Sequence, residues 1–519
     1  MNILMVSAEN DALPGGKVGG IADVVRDMPK ALAAEGQQVN VVMPNYGLLH
    51  EVNSTKFVQN ITIMFAGQPQ QISFYQCTAK NDDAKVIQWI AHHHLFSSCG
   101  LGSIYCDDPN NRPFATDATK FALFNAAVGK AILQGVFGKV DILHLHDWHT
   151  AVLAVLRAYD PEYLPLQHIK TAYTIHNLAL QGIRPLWGDE SSLQSWFPHL
   201  NYDVNKINDP TYSHCFNPMR AAINLCDKLH AVSPNYTQEI LKPSNSEQGY
   251  FGGEGLENDL QKASAEGRLF GILNGCEYSE VINKPLSLNA FFTLCENEVL
   301  KWSGKEDTLA SAHFIASSRL AKLTNKKLGK RPFLMTSVGR ITNQKVLLLQ
   351  QKMPDGQTAL QHVLNELGNT GIFLLLGSGD PSFEKFLTQT AGNNTNFIFL
   401  KGYSESLSEP IYNIGDLFMM PSSFEPCGIS QMLAMRAGQP CIAHSVGGLT
   451  DTIKDNENGF LFTGDTQLNQ ATNMIKCFKK TLAIYLNDPK KYTKISENAH
   501  KTRFLWSHSA RQYISDLYQ

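Results

Sequence analysis

The sequence predicts an α/β protein with two domains. Its 519 residues exceed what a single hydrophobic core usually supports. Short apolar runs typical of buried strands recur in both halves of the chain, for example at residues 3–6 and at Leu417–Met420. A glycine-rich or polar turn follows these runs, and then residues at helical spacing. Ligands of such sheets bind outside the carboxyl ends of the strands, so we expect these turns to carry the function.

The composition is typical of a globular enzyme and argues against several partners. Hydrophobic residues make up 43% of the chain and charged residues 18%. The 44 lysines and arginines face 47 acidic residues, so the formal net charge is -3 and we expect neither nucleic acid nor a membrane as a partner. We find no signal peptide and no apolar run near the roughly 20 residues of a membrane helix. The ten cysteines are scattered without a CxxC pair, which predicts reduced thiols and a cytoplasmic location.

The first strand leads into a glycine loop and then a helix. Residues 3–6 precede the loop at 17–20, which contains Lys17 and Gly20. After it, apolar side chains fall on one helical face at Ile21, Val24, Val25, Met28 and Leu32. This order can place backbone amides and a lysine against a phosphate or a sugar. Alone the pattern is weak, because it lacks the spacing of a dinucleotide-binding or P-loop fingerprint.

The first half of the chain contains two histidine clusters, at residues 92–94 and 144–149, and each raises the question of a metal site. Residues 92–94 are three consecutive histidines without further ligands at zinc spacing, so a metal is the less favoured interpretation there. A helix at residues 121–132 precedes residues 141–149, where a strand ends in a polar cluster. His144 and His146 would share one face of that strand, because successive side chains alternate.

Other strands of the first half also end in polar residues. They are predicted at residues 39–43, 171–175, 229–232 and 270–273, with loops and short strands between the first of them and about residue 115. His176 follows one strand, where it could be a general base, a donor to a sugar or a satisfied core residue. Asn274 follows another, where Asn-Gly is otherwise an ordinary turn signal.

The second half begins with a basic strand-to-helix turn. Residues 276–330 indicate a hinge and two helices, with a basic stretch at 322–331. Phe333–Val338 is predicted as a strand, and Arg340 and Lys345 follow it. A guanidinium and an ammonium at this spacing could both reach one diphosphate, or they could form a solvated basic turn. Further strands are predicted at residues 372–376 and 397–400, and residues 492–519 are helical in composition.

A second strand-to-helix turn carries a carboxylate. The buried strand Leu417–Met420 is followed by Glu425 and Gly428, and then by residues at helical spacing. Gly428 and the pair at 447–448 would let phosphate or sugar oxygens approach the backbone. Glu425 could accept hydrogen bonds from sugar hydroxyls. It could also simply complement the dipole of the helix that follows.

Five motifs in the same order resemble those of bacterial glycogen synthases and plant starch synthases. They occur at residues 17–25 (Lys-x-Gly-Gly-x-Ala-Asp-Val-Val), 144–149 (His-x-His-Asp-Trp-His), 176–182 (His-Asn-Leu-Ala-x-Gln-Gly), 340–345 (Arg-x-x-x-Gln-Lys) and 422–428 (Ser-x-Phe-Glu-Pro-Cys-Gly, with Gly-Gly-Leu at 447–449). Chance agreement of one motif is plausible, but not of five. The resemblance covers nearly the whole chain.

The resemblance implies a fold and a division of the chain. The expected fold is GT-B, an α/β architecture with two facing Rossmann-like domains and a central cleft. Residues 1–275 would form the acceptor-side domain and residues 276–500 the nucleotide-sugar domain. Residues 501–519 would form a helix that crosses back to the first domain.

The resemblance also implies the site residues, carried over motif by motif. The catalytic positions would be His176, Glu425, Arg340, Lys345 and Asp147. The nucleotide-sugar positions would be Lys17, Gly20, Asp23, Asn177, Asn274, Tyr403, Cys427, Gly428 and Ile429. Among them, Tyr403 would stack on the adenine, and His176 would contact the sugar 6-hydroxyl and face Glu425 across the cleft. Neither a metal nor a cofactor is expected.

The expected activity is glucosyl transfer from ADP-glucose to glycogen or another α-1,4-glucan, with retention of configuration. A UDP-glucose-dependent transferase of the same fold is one alternative, and a non-catalytic glucan-binding protein is the other. The sequence departs from the family pattern at Val18, at Leu180 in place of a common tyrosine, and at Val346 in place of a glycine. Residues 347–355 resemble a local insertion, and the loop at 250–256 carries one extra residue.

Overall fold

The computed structural model describes residues 1–80, 85–245, 247–278, 286–305, 308–324 and 331–519. The chain divides into two compact units. Unit 1 comprises Met1–Ser244, Gly252–Glu277 and Leu505–Gln519, and unit 2 comprises Asn245–Phe251 and Tyr278–Phe504. Parts of the predicted hinge (279–285) and of the predicted basic stretch (325–330) lie outside the described residues.

Unit 1 is built on a nine-stranded sheet in its described part. Its strands and those of a small ribbon are β1 (Asn2–Val6), β2 (Gln38–Pro44), β3 (Thr55–Phe65), β4 (Gln68–Cys77), β5 (Val86–His92), β6 (Ile142–His146), β7 (Lys170–Ile175), β8 (Arg184–Pro185), β9 (Cys215–Phe216), β10 (Lys228–Ala231) and β11 (Leu269–Gly271). The sheet order is β11-β10-β7-β6-β1-β2-β5-β4-β3, and β8 pairs with β9. Strands β11 to β5 in that order run parallel, while β4 is antiparallel to both β5 and β3.

The antiparallel hairpin of β3 and β4 is longer than expected from the sequence. The prediction of loops and short strands up to about residue 115 is wrong for these 11-residue and 10-residue strands. Ala66 and Gly67 join them with φ of 51° and 72°, the left-handed pair that a two-residue hairpin turn needs. Ile61, Ile63 and Phe65 alternate into the core, and this period of two is the signal that could have identified the strand.

The helices of unit 1 connect these strands. They are α1 (Gly20–Ala34), α2 (Leu49–Val52), α3 (Ala115–Leu133), α4 (Val152–Tyr159), α5 (Leu193–Trp196), α6 (Val204–Ile207), α7 (Pro218–Leu225), α8 (Pro234–Glu239) and α9 (Glu257–Ala265). Short 3₁₀ turns lie at His94–Ser97, Trp148–Thr150 and Leu164–His168. The face of α1 predicted to be apolar packs on β1: Val24, Val25 and Met28 belong to one buried cluster with Ile3 and Met5.

Unit 2 contains a fully parallel sheet of six strands among its described residues. They are β12 (Phe333–Val338), β13 (Gly371–Gly377), β14 (Phe397–Lys401), β15 (Leu417–Met420), β16 (Cys441–His444) and β17 (Gly459–Phe462), in the order β14-β13-β12-β15-β16-β17. Strands buried on both faces are nearly continuous apolar runs, which is why the sequence marked them so clearly. Strands β12 and β15 begin and end at the predicted residues.

The helices of unit 2 cover both faces of its sheet. They are α10 (Leu288–Ser303), α11 (Ser311–Thr324), α12 (Asn343–Gln350), α13 (Ala359–Leu367), α14 (Pro381–Asn393), α15 (Glu405–Ile414), α16 (Ser430–Arg436), α17 (Gly447–Thr452), α18 (Gln467–Asn487) and α19 (Pro489–Lys501). Helix α12 begins at Asn343 and runs into the supposed insertion. Val346, which replaces a glycine of the family pattern, is buried in the core of unit 2 with Leu348 and Leu349.

The end of the chain belongs to unit 1. Helix α20 (Trp506–Gln512) and a π-helical turn (Tyr513–Leu517) follow α19. Trp506, Tyr513 and Tyr518 join the buried cluster that contains α1 and β1. The boundary falls between Phe504 and Leu505, four residues after the predicted one.

The predicted first domain, residues 1–275, is wrong for Asn245–Phe251, which the structure groups with unit 2. Two contacts explain this placement. The Phe251 ring lies 4.6 Å from the Phe424 ring, centroid to centroid, and the Gln470 side chain donates to the carbonyl of Gln248 at 3.5 Å. Contacts between residues so distant in sequence are not visible in local periodicity.

One pair of cysteines also departs from expectation. Cys99 and Cys106 form a disulfide, with Cα atoms 5.4 Å apart, so the prediction of uniformly reduced thiols is wrong for this pair. The loop before α3 folds back on itself and brings the two residues together across a separation of seven. No spacing rule for metal or redox motifs would have identified them.

Candidate active site

The strand order of unit 1 creates a switch point beside β1. Strand β2 lies on one side of β1 and β6 on the other, so the connections diverge and leave a crevice at the carboxyl ends of the strands. Three polar side chains follow strands here: Glu9 after β1, Asp147 after β6 and His176 after β7. All three are buried. The sequence predicted Asp147 and His176 but missed Glu9, although the same rule of polar residues after a strand applies to it.

Asp147 has a strained backbone. Its φ of 54° and ψ of -176° lie in a region that is essentially reserved for glycine and costs on the order of 1–3 kcal/mol. The Asp147 carboxylate accepts a hydrogen bond from the backbone N–H of His176 at 2.7 Å. Burial raises its pKa to about 8, although the amides of His176 and Asn177 oppose the shift. Burial therefore favours the protonated carboxyl, which can donate as well as accept a hydrogen bond.

His176 is a neutral imidazole held by a second histidine. Its Nε2 lies 2.9 Å from Nδ1 of His146, the last residue of β6, and the two rings stack with centroids 5.2 Å apart. Burial lowers the pKa of both rings well below the ordinary value. His176 therefore offers hydrogen bonding rather than a positive charge. Sequence reasoning placed His146 on the correct strand but assigned it no partner.

Two asparagines predicted to bind the donor have different surroundings. The buried Oδ1 of Asn274, which follows β11, has no hydrogen-bond partner among the described residues. Such atoms are rare in native proteins, and a ligand hydroxyl would satisfy this one. The Asn177 side chain instead accepts from the amide of Ala179 at 2.9 Å, so it stabilises the turn after β7.

The predicted donor loop places its cation beside two carboxylates. Lys17 Nζ lies 2.6 Å from Asp23 and 3.5 Å from Asp11. Burial raises the pKa of Asp23, and the neighbouring Lys17 opposes the shift. A Cβ added to Gly20, the first residue of α1, would meet no atom within 4 Å. The space in front of α1 is therefore open to a ligand.

Two amides of the same loop already have a protein partner. The N–H groups of Val18 and Gly19 both donate to the Glu9 carboxylate, and the Tyr105 hydroxyl donates to its other oxygen at 2.6 Å. The expectation that this loop would offer its amides to a phosphate or sugar is thus wrong for Val18 and Gly19. Glu9 instead orders the loop and thereby fixes the positions of the neighbouring residues Lys17 and Gly20.

Unit 2 has its own switch point, between β12 and β15. The chain passes from β12 to β13 and β14 on one side and then returns to β15 on the other. Arg340 and Lys345 follow β12, and Glu425 follows β15, so all three lie at the predicted edge of the sheet. Arg340 is exposed and makes no ion pair or hydrogen bond with the described residues. It is therefore available to an anionic ligand.

Lys345 and Glu425 form an ion pair that the sequence did not predict. Gln344 holds the two segments together, because its backbone carbonyl accepts from the Ser423 amide at 2.8 Å and its side chain donates to the Phe424 carbonyl at 2.9 Å. The Ser422 hydroxyl donates to the same Glu425 oxygen at 3.0 Å. Lys345 remains 26% exposed. It can therefore contact an incoming anion while it stays beside the carboxylate.

The glycines after Glu425 serve the protein's own backbone. A Cβ on Gly447 would lie 1.9 Å from the carbonyl oxygen of Glu425, and one on Gly448 would lie 2.3 Å from that of Cys427. The Gly448 amide also donates to the Glu425 carbonyl at 3.0 Å. We expected a ligand to lie close to Gly447 and Gly448, but the backbone of residues 425–427 occupies that space instead. This contact holds the Glu425 loop in place.

The remaining predicted donor residues of unit 2 lie on two different strand ends. Cys427 is buried with its Sγ 3.5 Å from the Gly428 carbonyl, and Ile429 is the N-cap residue of α16. Gly428 has φ of +76°, and an added Cβ would lie 2.5 Å from the Gln431 side chain. Tyr403 follows β14, two strands from β12 or about 10 Å across the sheet, and its side chain is 64% exposed.

Neither histidine cluster forms a group of metal-binding geometry within the described residues. The one group found there consists of Cys99, Cys106 and Asp117, whose ligand atoms all lie within 4.8 Å of one another. The ammonium of Lys120 lies 2.6 Å from Asp117 and 3.8 Å from Cys106, where it would oppose a cation. The disulfide also occupies both thiols. These residues therefore do not fit a metal site.

The chain is similar to known proteins over nearly its whole length. Residues 2–262 match the family model of the starch synthase catalytic domain, and residues 322–502 match that of the glycosyl transferases group 1. A glycogen synthase of Clostridioides difficile is 30% identical over 99% of this chain and 98% of its own. One of Aliivibrio salmonicida is 28% identical over 99% of this chain and 98% of its own.

Solved structures show the same relationship. The catalytic domain of starch synthase IV from Arabidopsis thaliana, bound to ADP and acarbose, is 26% identical, with a TM-score of 0.75. It matches 100% of this chain and 98% of its own. A sucrose-phosphate synthase from Thermosynechococcus elongatus is 17% identical with a TM-score of 0.55, which shows the fold alone.

Two Rossmann-like units, each with polar side chains at a switch point, define a glycosyltransferase of the GT-B fold. The predicted fold class is confirmed. The chain belongs to the family of glycogen and starch synthases, as its motifs indicated. None of its described helices is long and apolar enough to span a bilayer.

Proposed function

We propose that this protein transfers glucose from ADP-glucose to the non-reducing end of an α-1,4-glucan such as glycogen, with retention of configuration. The observation that carries the proposal is the arrangement at the switch point of unit 2. Arg340 is exposed, and the partly exposed Lys345 forms an ion pair with Glu425, so two cations follow the strand beside that of Glu425. Family membership supplies the class of substrate.

The proposed reaction breaks one bond and forms one at the anomeric carbon. The bond between C1 of glucose and the β-phosphate oxygen breaks, and the acceptor 4-hydroxyl oxygen bonds to C1 on the same face. The hydroxyl proton passes to the departing phosphate oxygen, so ADP leaves with the bonding electron pair. Arg340 and Lys345 stabilise the negative charge that builds on the diphosphate, and Glu425 favours positive charge at C1.

In the proposed reaction, residues of unit 1 bind the sugar hydroxyls and contribute one cation to the donor phosphates. Burial shifts the pKa values of Asp147 and His176 towards their neutral forms, which suit hydroxyl groups rather than charges. The unpartnered Oδ1 of Asn274 supplies an acceptor for another hydroxyl. Lys17, beside Gly20 and the open space in front of α1, is the cation that unit 1 offers to the donor phosphates.

One assay tests the proposal. The full chain is incubated with glycogen and either ADP-glucose or UDP-glucose, and both radiolabelled glucan and released nucleoside diphosphate are measured. We expect ADP-glucose to be strongly preferred, with one ADP released for each glucose incorporated into α-1,4 linkage. Preference for UDP-glucose would overturn the donor assignment, and glycogen binding without incorporation from either donor would overturn the activity.

A further inference from the structure

The histidine pair at the end of β6 and β7 leaves one nitrogen atom without a partner. His146 is buried, and its Nδ1 is bonded to Nε2 of His176 at 2.9 Å. On the other side of the same ring, Nε2 of His146 is buried and makes no hydrogen bond within the described residues. The His144 ring stacks against the His146 ring, with centroids 4.4 Å apart and planes 22° apart. The His144 ring therefore covers one face of the His146 ring.

The position of the protons in this pair follows from the orphaned nitrogen. Burial lowers the pKa of both histidines well below the ordinary value, so each ring carries one proton near neutral pH. If His176 donated from Nε2, the His146 proton would lie on Nε2, as a buried N–H without an acceptor. If His146 donates from Nδ1, its Nε2 is instead an unprotonated nitrogen. A buried orphan N–H is the rarer and costlier of these situations.

We propose that His146 is a positioning residue that donates from Nδ1 to Nε2 of His176 and thereby keeps the His176 proton on Nδ1. That nitrogen makes no hydrogen bond to the described residues, and the His176 side chain keeps a small exposed fraction. His176 then presents an N–H donor, which suits the oxygen of a sugar hydroxyl. The backbone N–H of His176, held by Asp147 at 2.7 Å, fixes the other end of the residue.

The donor character of His176 therefore depends on a residue that does not touch the ligand. The expected effect on turnover rests on the proposed function, because it requires that His176 contacts the transferred sugar. The expected tautomer of His176 does not depend on that function. The tautomer of His176 can be measured in the protein with no substrate present.

The first experiment measures the tautomer directly. Protein labelled with ¹⁵N-histidine is studied by long-range ¹H–¹⁵N NMR at pH 7, and the signals of His146 and His176 are assigned by their loss in single variants. We expect protonated Nδ1 and unprotonated Nε2 in both rings. A protonated Nε2 on His176 in the unsubstituted protein would overturn the proposal, whether or not the protein makes glucan.

The second experiment measures activity with the proposed donor and acceptor. His146→Leu removes the donor with little change of volume, and we expect kcat to fall about tenfold with the donor KM nearly unchanged, the effect of one lost hydrogen bond. His146→Asn places an amide N–H close to the position of Nδ1 and should restore most of kcat. Equal losses in the Leu and Asn variants, both folded by circular dichroism, would contradict the proposal.

A neighbouring histidine provides the matched control. His144 lies on the same strand and face and bonds to Thr174 at 2.7 Å and to Tyr518 at 2.8 Å, but not to His176. His144→Leu should lower Tm while it leaves the His176 tautomer and kcat per folded molecule near those of the unsubstituted protein. If His144→Leu lowers kcat as much as His146→Leu does, the effect belongs to packing and the proposal fails. If the unsubstituted protein makes no glucan, the proposed function fails while the NMR result still decides the tautomer.

Discussion

The polar groups at the two switch points differ in burial and in charge. In unit 1, Asp147, His176 and Asn274 are all buried, and the pKa shifts of the first two favour their neutral forms. In unit 2, Arg340 is exposed and Lys345 is partly so, beside a buried Glu425. Burying an ion without compensation costs far more than burying a hydrogen-bonding group with a partner. Under the proposed function, the groups that would bind hydroxyls can be preorganised in the core, whereas the cations that would bind the diphosphate stay near water.

The two groups also differ in how they are held. Strained backbone at Asp147 and the bond between His146 and His176 fix the unit 1 side chains. In unit 2 an ion pair between Lys345 and Glu425 fixes the carboxylate, and an anion would compete for the same lysine. Changes in unit 1 should therefore alter geometry and protonation, while changes in unit 2 should alter the stabilisation of charge.

The largest effect is expected from removing the carboxylate charge of unit 2. Glu425→Gln keeps the shape and should lower kcat by about 10²–10³-fold, with folding and donor KM mostly retained, because the charge acts in the transition state. Steady-state kinetics with ADP-glucose would measure this. The matched control is Glu409→Gln, which removes a carboxylate paired with Arg436 in the same unit and should leave kcat unchanged. Near-normal turnover of Glu425→Gln would show that the charge is unused, and a trapped glucosyl adduct would indicate double displacement.

Removing the exposed cation should have a slightly smaller effect. Arg340→Met should lower kcat about 10²-fold without lowering Tm, since Arg340 makes no ion pair or hydrogen bond within the described part of the chain. Lys490→Met, at an exposed position on α19, changes the net charge equally and is the control. An equal loss of activity in both variants would show that the effect comes from the change in the protein's net charge and not from the loss of Arg340 at the site.

In unit 1, the protonation of Asp147 can be tested by measuring protein stability as a function of pH. The folded-state pKa of Asp147, about 8, lies above the roughly 3.9 of an unfolded aspartate. The stability that it contributes is therefore fully present below about pH 4 and is lost as pH rises towards 8. Asp147→Asn does not titrate, so its Tm minus that of the unsubstituted protein should increase between pH 5 and 8. Parallel Tm curves, followed by tryptophan fluorescence, would show that Asp147 ionises normally.

A moderate effect is expected at the edge of the unit 2 sheet. Tyr403→Ala should raise the donor KM about tenfold with kcat nearly unchanged, because stacking on a base is present in both ground and transition states. The exposed position predicts no loss of Tm. Tyr403→Phe keeps the ring and should behave like the unsubstituted protein. A collapse of kcat at constant KM would remove Tyr403 from the base-binding role.

No effect is expected from chelation. The proposal assigns stabilisation of the diphosphate to Arg340 and Lys345, so activity should survive EDTA. The rate is measured before and after dialysis against EDTA, and again after Mg²⁺ or Zn²⁺ is added. Activity that disappears on chelation and returns with a divalent ion would show that metal, and not these two side chains, supplies the charge.

The sequence predicted the two-domain α/β class, most of the strands and the motifs, because each depends on residues close together in the chain. Apolar runs, helical spacing and polar residues after strands are local patterns. They placed Asp147, His176 and Glu425 at the carboxyl ends of the correct strands. The resemblance implied roles for them, and these roles stay predictions.

Only the tertiary structure decided which side chains meet. The contact of Lys345 with Glu425 requires that β15 lie beside β12, and that of His146 with His176 requires β7 beside β6. Strand order is set by long-range packing and leaves no trace in local periodicity. Local patterns depend on spacing along the chain, whereas these contacts depend on how distant segments pack.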